Sequence, residues 1–306
     1  MKYITRIAPS PTGMMHFGTA RTAYFNWLAA RATDGTFILR MDDTDADRNQ
    51  AEAEQPIFDG LNWLGLNWNA FYRQSARTEI YQEYANRLLA ANIAAKADNG
   101  AIILNWHNWM PRRWMDNIAN WVEITDDNVT KMDGRLVLLR GGDKLGQPTY
   151  QFASVVDDYL LGVNYIIRGT DHITNTAKQV AIWAALARCD ADLGVEGRDL
   201  PQFAHVGLIF KGGRKMSKRD GAASLLSYKD AGYNADALLN FMLRLGWGPT
   251  VDDRTTALLP RERALELFLT GGKMRNINAN YDDAKLSSFD RKYKAIIEQE
   301  QRRQGK

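Results

Sequence analysis

The sequence predicts an α/β protein: a Rossmann-like, doubly wound parallel sheet that carries an inserted subdomain and is followed by a small helical domain. Three stretches carry this expectation. Residues Tyr3 to Met41 read as strand, loop, helix, strand; strand and helix alternate again from Asn164 to Phe210; and beyond Gly221 the periodicity is helical.

In order, Tyr3 to Ala8 reads as a short strand that Pro9, Pro11 and Gly13 break into a loop ending near His16. From Ala20, the apolar Ala23, Tyr24, Trp27, Leu28 and Ala30 repeat at helical spacing until Asp34-Gly35, and Thr36 to Met41 follows as a strand. Helices are expected at Ala51 to Leu64 and at Thr78 to Lys96. Periodicity is poor in the stretch holding Trp106, Trp109, Trp114 and Trp121, so Asn99 to Lys144 reads as an insertion. Asn164 to Arg168 is strand-like, Thr174 to Ala187 helical with Thr174 as N-cap, and Ala204 to Phe210 strand-like again. Helices at Ala235 to Leu245 and Arg261 to Phe268 complete the pattern. The expected plan is 1–98 for the first half of the catalytic-type domain, 99–144 for the insertion, 145–225 for the second half and 226–306 for the helical domain.

A chain of 306 residues, 45% apolar and 25% charged, buries a substantial core. Its apolar runs fall short of the roughly 20 residues of a membrane span, and Met1 to Arg6 has no leader pattern, so a cytoplasmic protein without membrane contact is expected. Cys189 is the only cysteine, which excludes internal disulfides and a cysteine-rich zinc site, and no zinc or other protein-held metal is expected. The net charge of +3 is too small to announce a nucleic-acid partner. The basic residues Arg291, Lys292, Lys294, Arg302, Arg303 and Lys306 suit either RNA contact or a solvated helical face.

Two constellations carry chemistry. Arg6-Ile-Ala-Pro-Ser-Pro-Thr-Gly followed by His16-Phe-Gly-Thr sits at a strand-to-helix turn. There, backbone N–H groups and the positive helix end face an anion, Gly13 and Gly18 allow close approach, and His16 can donate to a phosphate oxygen. The competing reading of His16 is a satisfied loop histidine. Gly212-Gly-Arg-Lys215-Met-Ser-Lys218-Arg-Asp-Gly follows the strand ending at Phe210, and reads as a mobile loop whose two lysines can face one polyanion. A solvated basic loop is the alternative.

Together these segments resemble the HIGH and KMSKS signatures of class I aminoacyl-tRNA synthetases, in the wording of the glutamyl branch. Ile38-Leu-Arg-Met-Asp-Asp-Thr-Asp45, Pro148 to Asp158, Ile167 to Thr176 and Ala237 to Trp247 agree, so the resemblance covers nearly all of the chain except 99–144. It implies an ATP-dependent glutamate–tRNA ligase. His16, Gly18, Thr19, Lys215, Ser217 and Lys218 would bind ATP, with His16, Lys215 and Lys218 catalytic and Mg2+ accompanying ATP. Arg6 and Arg168 would hold the γ-carboxylate of L-glutamate with Tyr150 and Ser10, and Asp42 its ammonium. The family usually has glutamate at the position of Asp42, so that contact is expected to be re-spaced. Ion pairing of Arg168 to Asp171 or Asp157 is the structural alternative.

The resemblance also implies a monomer that meets the acceptor arm of tRNA through a shortened insertion. Full-length relatives continue into an anticodon-binding region, so a minimal form lacking it is expected. The tryptophans of the insertion serve either base stacking or a small core. Two other functions resemble the pattern: a glutamyl-queuosine tRNA(Asp) synthetase-like enzyme that loads a modified base, and a non-catalytic RNA-binding relative. The missing zinc cysteines and the intact Lys-Arg-Asp-Gly argue against the first; joint retention of Arg6, His16, Lys215 and Lys218 argues against the second.

Overall fold

In this computed structural model the described residues are 1–12, 14–45, 51–132, 134–216, 224–249 and 258–304. Gly13, Lys306 and the motif residues 217–222, Ser217 and Lys218 among them, lie outside these ranges.

The chain opens with β1 (Ile4–Ile7), α1 (Phe17–Arg31) and β2 (Thr36–Met41). The turn before β2 needs Gly35, because a Cβ there would stand 1.9 Å from the Tyr3 carbonyl oxygen. Helix α1 starts at Phe17, three residues before the apolar repeat, because His16 caps it. It is buried along most of its length between β1, β2 and β9 (Tyr165–Gly169) on one side and two later helices on the other, which explains its lack of a polar face.

The expected helix Ala51 to Leu64 is a 3-10 turn, Ala51–Ala53, followed by α2 (Gln55–Trp63); Pro56 sits in the first turn of α2, where its missing N–H costs no helix bond. β3 (Ala70–Arg73) then completes a parallel sheet in the order β1-β2-β3. Helix α3 (Thr78–Ala90) ends earlier than expected: Asn92 takes a left-handed φ of 55°, and Ala94–Lys96 leaves as strand β4.

The insertion divides between two sheets. β5 (Ile102–Asn105) pairs with β4 and with a later strand, Arg135–Leu139, in an antiparallel sheet. Between them the hairpin β6 (Arg113–Asp116) and β7 (Asn120–Glu123), followed by α4 (Asp126–Lys131), reaches across to the second half; the strand Arg135–Leu139 is β8. α5 (Tyr150–Leu160), β9, α6 (Ile173–Asp192) and β10 (Gln202–Val206) follow, and the sheet order is β7-β6-β10-β9. Part of the insertion is thus sheet edge for the second half, invisible to periodicity because each strand is four residues long. Trp114 is its anchor, 2% exposed in a cluster with Ile38, Ile166 and Phe203. Trp121 and Trp109, 56% and 40% exposed, stand outside that core.

Two further expectations are corrected. Thr174 lies inside the first turn of α6, which begins at Ile173 with His172 as an N-cap that makes no side-chain capping bond. The strand expected over Ala204 to Phe210 breaks at Gly207, whose N–H bonds the Arg275 carbonyl, so that β10 is followed by a separate β11 (Ile209–Lys211). β11 and β12 (Arg214–Lys215) form an antiparallel hairpin, with Gly212 and Gly213 at φ 59° and 77° as its two-residue turn. The first glycines therefore build a hairpin rather than open a loop.

The C-terminal part contains α7 (Leu225–Asp230), α8 (Ala235–Arg244), β13 (Trp247–Pro249), α9 (Arg261–Leu267), β14 (Gly272–Met274), β15 (Ala279–Asn280) and α10 (Asp283–Gln304). α8 packs on α1 and α10, and Phe17, Phe241 and Tyr281 meet edge to face, so this part shares its core with α1. The last helix carries the basic tail, mostly exposed. Among the described residues no helix is long and apolar enough to cross a membrane.

The sheets β1-β2-β3 and β7-β6-β10-β9 meet along β1 and β9. Asn164 joins them: its N–H bonds the Ile4 carbonyl at 3.1 Å, while its side chain accepts from Ile4 N at 2.8 Å and donates to the Lys2 carbonyl at 2.9 Å. Strand order reverses at this seam, where doubly wound sheets open a crevice at the carboxyl ends of their strands.

Candidate active site

A cleft of about 630 Å³ opens at that seam. Its walls are the loop after β1, the first turn of α1, Tyr150 at the start of α5, the ends of β9, and β11–β12. Arg6, Ser10, His16, Gly18, Thr19, Tyr150, Arg168 and Lys215 all line it, although they are spread over more than 200 residues of chain. Asp42 is not among the lining residues.

The upper wall is the N-terminal end of α1. His16 is the N-cap of α1: Nδ1 accepts from Thr19 N at 3.3 Å and Nε2 lies 3.0 Å from Thr19 Oγ1. A Cβ on Gly18 would stand 3.2 Å from this ring, so glycine lets the imidazole fold over the helix end. The ring is therefore a cap as well as a cleft residue, and both readings of His16 from sequence apply. The amides of the first turn and the positive end of α1 face the same space. Opposite, Lys215 Nζ sits 2.7 Å from Asp171 Oδ2. Burial alone would raise the Asp171 carboxyl, but the Lys215 bond and His172 hold it below its ordinary value. The chain beyond Met216, a lining residue, returns at Ser224, which bridges to His16, while Leu225 N bonds the Met15 carbonyl.

The floor is a buried ionic network. Arg40, fully enclosed, holds Asp42 at 2.7 Å and Asp158 at 2.6 Å, with Asp157 at 3.6 Å. Arg6 donates through Nε to both Asp158 oxygens at 3.2 Å, and Arg77 bonds Asp157 at 2.7 Å beside Gln74 and Tyr81. Against the effect of burial, Arg6 and Arg40 lower the Asp158 pKa. For Asp42 burial outweighs Arg40, and its carboxyl is pushed up to about 6.

Arg168 is treated differently. It is 5% exposed, and its contacts are neutral: Nε donates to His205 Nε2 at 3.2 Å, and Nη2 to Thr176 Oγ1 at 2.7 Å and Gln179 Oε1 at 2.6 Å. Nη1 is buried without a partner. Among the described residues it pairs with neither Asp171, held by Lys215, nor Asp157, held by Arg77 and Arg40, so the ion-pair alternative for Arg168 is not realised. Burial lowers its pKa to about 10, which still leaves it charged at neutral pH.

Sequence reasoning missed several cleft residues. Arg21, buried in α1, spends its two terminal nitrogens on the carbonyls of Leu245 and Gly207, tying α1 to the C-terminal part. His172 lines the cleft with a pKa that burial and Arg168 lower to about 4, so it is neutral. His205, Asp116, Thr176 and Gln179 lie behind Arg168. A polar histidine inside the apolar strand Phe203-Ala-His-Val206 was the visible signal; nothing in sequence tied it to Asp116.

The family profile "tRNA synthetases class I (E and Q), catalytic domain" matches residues 2–108 and 106–294. The chain is 36% identical to a glutamate–tRNA ligase of a Nostoc species, over 94% of this chain and 66% of the relative. It is also 36% identical to that of Aquifex aeolicus, over 87% of this chain and 62% of the relative. The chain thus spans about two thirds or less of the length of these relatives. A solved glutamate–tRNA synthetase from Elizabethkingia anophelis superposes with a TM-score of 0.76 at 25% identity, covering 98% of this chain and 73% of the other. With a matching α/β fold, a profile spanning nearly its whole length and these relatives, the chain belongs to the class I tRNA synthetases for glutamate and glutamine.

Proposed function

We propose that this protein activates L-glutamate with ATP and transfers the glutamyl group to the 3′ end of a tRNA. The observation that carries the reading is Arg168, a buried, charged guanidinium with one unpartnered nitrogen on the lining of a cleft that also holds Arg6 and a helix N-terminus. A side-chain carboxylate completes both arginines with charge-assisted bonds. Ser10 and Tyr150 lie within reach of the same ligand. Asp42, bonded by Arg40 at 2.7 Å, keeps its assignment to the ammonium on the resemblance alone.

In the first step an α-carboxylate oxygen attacks the α-phosphorus of ATP; the new O–P bond forms as the bond to the β-phosphate bridging oxygen breaks and pyrophosphate leaves. No covalent enzyme intermediate is required, so positioning and charge stabilisation carry the rate. The helix end with His16, Gly18 and Thr19 takes phosphate oxygens. Lys215 meets the departing pyrophosphate, with Lys218 and Ser217 assigned to the same task from sequence. On the family resemblance, a magnesium ion would accompany the phosphates of ATP. In the second step a terminal ribose hydroxyl attacks the adenylate carbonyl and AMP leaves. We place the reaction in the cytoplasm and in a monomer, on the family resemblance. The four-part division of the chain stands as part of the proposal, with the hairpin β6–β7 counted to the second half.

The test is ATP–pyrophosphate exchange with glutamate, glutamine and aspartate, each with and without total tRNA. Glutamate-dependent exchange supports the reading. Exchange with glutamine instead, or none under any condition, defeats it, and glutamate exchange whose product loads a modified base rather than a 3′ end moves the acceptor to the queuosine type.

A further inference from the structure

We propose that Asp116 and His205 are positioning residues for amino-acid selection, which hold the Arg168 guanidinium so that Nη1 alone is left for a ligand carboxylate. The inference rests on the reading of Arg168 given above. Asp116 sits at the end of β6, in register with Phe203 of the parallel neighbour β10. Its carboxylate is fixed by four donors. Oδ1 accepts from the amides of Ile118 and Ala119 at 2.9 and 2.8 Å; Oδ2 takes the backbone N–H of His205 at 3.1 Å and its Nδ1 at 2.6 Å.

The other side of the imidazole fixes its proton. A guanidinium only donates, so the nitrogen that Arg168 Nε–H meets must carry a lone pair. His205 Nε2 is that nitrogen, and Thr176 Oγ1, 2.9 Å from it, can donate its own proton there, so the ring proton is assigned to Nδ1, against Asp116. The ring, Asp116, Thr176 and Gln179 are all buried.

The arrangement answers a conflict. A buried guanidinium needs a countercharge, yet a carboxylate in direct contact captures it, as Asp158 and Asp42 capture Arg40. Here the countercharge stands one imidazole away. Arg168 is oriented by neutral acceptors and its fork stays open toward the cleft. Because Asp116 belongs to the insertion, the β6–β7 hairpin is then part of the amino-acid pocket, which otherwise comes from the two sheet halves.

Three variants and one spectrum test this. Asp116→Asn can present its amide N–H to Nδ1, moving the ring proton to Nε2 and setting two donors against each other at Arg168. Glutamate KM is expected to rise at least about tenfold, the loss of one good hydrogen bond to a charged group, with ATP KM within about twofold and the glutamate-over-glutamine preference reduced. His205→Gln places an amide oxygen near the Nε2 position with no tautomer to control. It should keep most of the glutamate affinity, and adding Asp116→Asn to it should cost nothing more. A purely structural role for Asp116 predicts equal loss in both backgrounds. In the unmodified protein, 15N chemical shifts of the histidine ring are expected to report Nδ1–H for His205; an Nε2–H ring overturns the inference whether or not the variants fold. So does an unchanged glutamate KM in Asp116→Asn, or an equal rise for glutamate and ATP. Arg168→Ala separates the two levels: if it leaves amino-acid preference unaltered the pocket reading itself fails, whereas loss there with none in Asp116→Asn removes only the positioning role.

Discussion

Replacing Arg6 with alanine removes one cation from the cleft while sparing the fold beneath it. Arg6 engages the floor through Nε alone, on Asp158, and Asp158 keeps Arg40 at 2.6 Å when Arg6 is gone. The buried carboxylate is therefore not orphaned, and the stability loss stays near 1–2 kcal/mol instead of the 3–5 kcal/mol of a broken buried pair. The proposed contact to the ligand is a hydrogen bond between charged groups, worth about 1.5–3 kcal/mol, so its loss should lower kcat/KM for glutamate about ten- to hundredfold. The proposed ATP contacts, the helix end and Lys215, do not include Arg6, so the ATP KM should move by less than about threefold. Pyrophosphate exchange in the presence of total tRNA, titrating glutamate at saturating ATP and then the reverse, reads both quantities. An equal loss for the two substrates refutes the placement of the carboxylate, and no loss for glutamate refutes the role of Arg6.

Lys215→Ala is expected to lower kcat about tenfold or more with little change in glutamate affinity, because its proposed role is at the phosphates; single-turnover activation checks it, and a pure glutamate KM effect contradicts it. With Asp42 raised to about 6 by burial, glutamate affinity should fall as pH drops from 7 to 5, since the protonated carboxyl no longer attracts an ammonium, and Asp42→Asn should abolish that dependence in equilibrium binding. Arg40→Met leaves Asp42, Asp157 and Asp158 without their shared cation and should destabilise the fold by about 3–5 kcal/mol in urea denaturation. Trp114→Ala should cost about 3–5 kcal/mol by opening the cluster around Phe203, whereas Trp121→Ala, more than half exposed beneath Arg113, should stay within about 0.5 kcal/mol and lower RNA affinity if the surface stacks bases.

The strand–loop–helix–strand opening was legible because glycine, proline and an unbroken apolar helix mark it locally. The signature residues of the cleft were legible for a different reason, since their wording resembles a family. What escaped was everything decided by contact across the chain. Four-residue strands carry too little periodicity to separate β6 and β7 from a loop, and their place in the sheet depends on pairing with β10, some ninety residues on. Strand β4 was read as the tail of a helix because Ala94-Ala-Lys favours helix; the left-handed Asn92 overrides that propensity. Asp42 was assigned to the ammonium from its motif; its bond to Arg40, two residues earlier, was not legible there.

Arginine itself shows where sequence stops. Arg6, Arg40 and Arg168 all sit on strands or at strand ends beside the seam, and all are buried, so neither position nor burial tells binder from scaffold. Their partners do. Arg40 is enclosed by Asp42, Asp157 and Asp158, and a further anion would have to displace one of them in a medium where that exchange is unfavourable. Arg6 is half committed, through one nitrogen. Arg168 is held by an imidazole, a hydroxyl and an amide, none of which neutralises it, and one nitrogen is left bare. A buried donor without a partner is destabilising, so the bare Nη1 of Arg168 carries a penalty. A ligand that brings its own carboxylate removes the penalty on binding, and an amide in its place supplies the acceptor oxygen but no charge. On the proposed function, a preference for glutamate over glutamine would follow from leaving Arg168 without a carboxylate of its own.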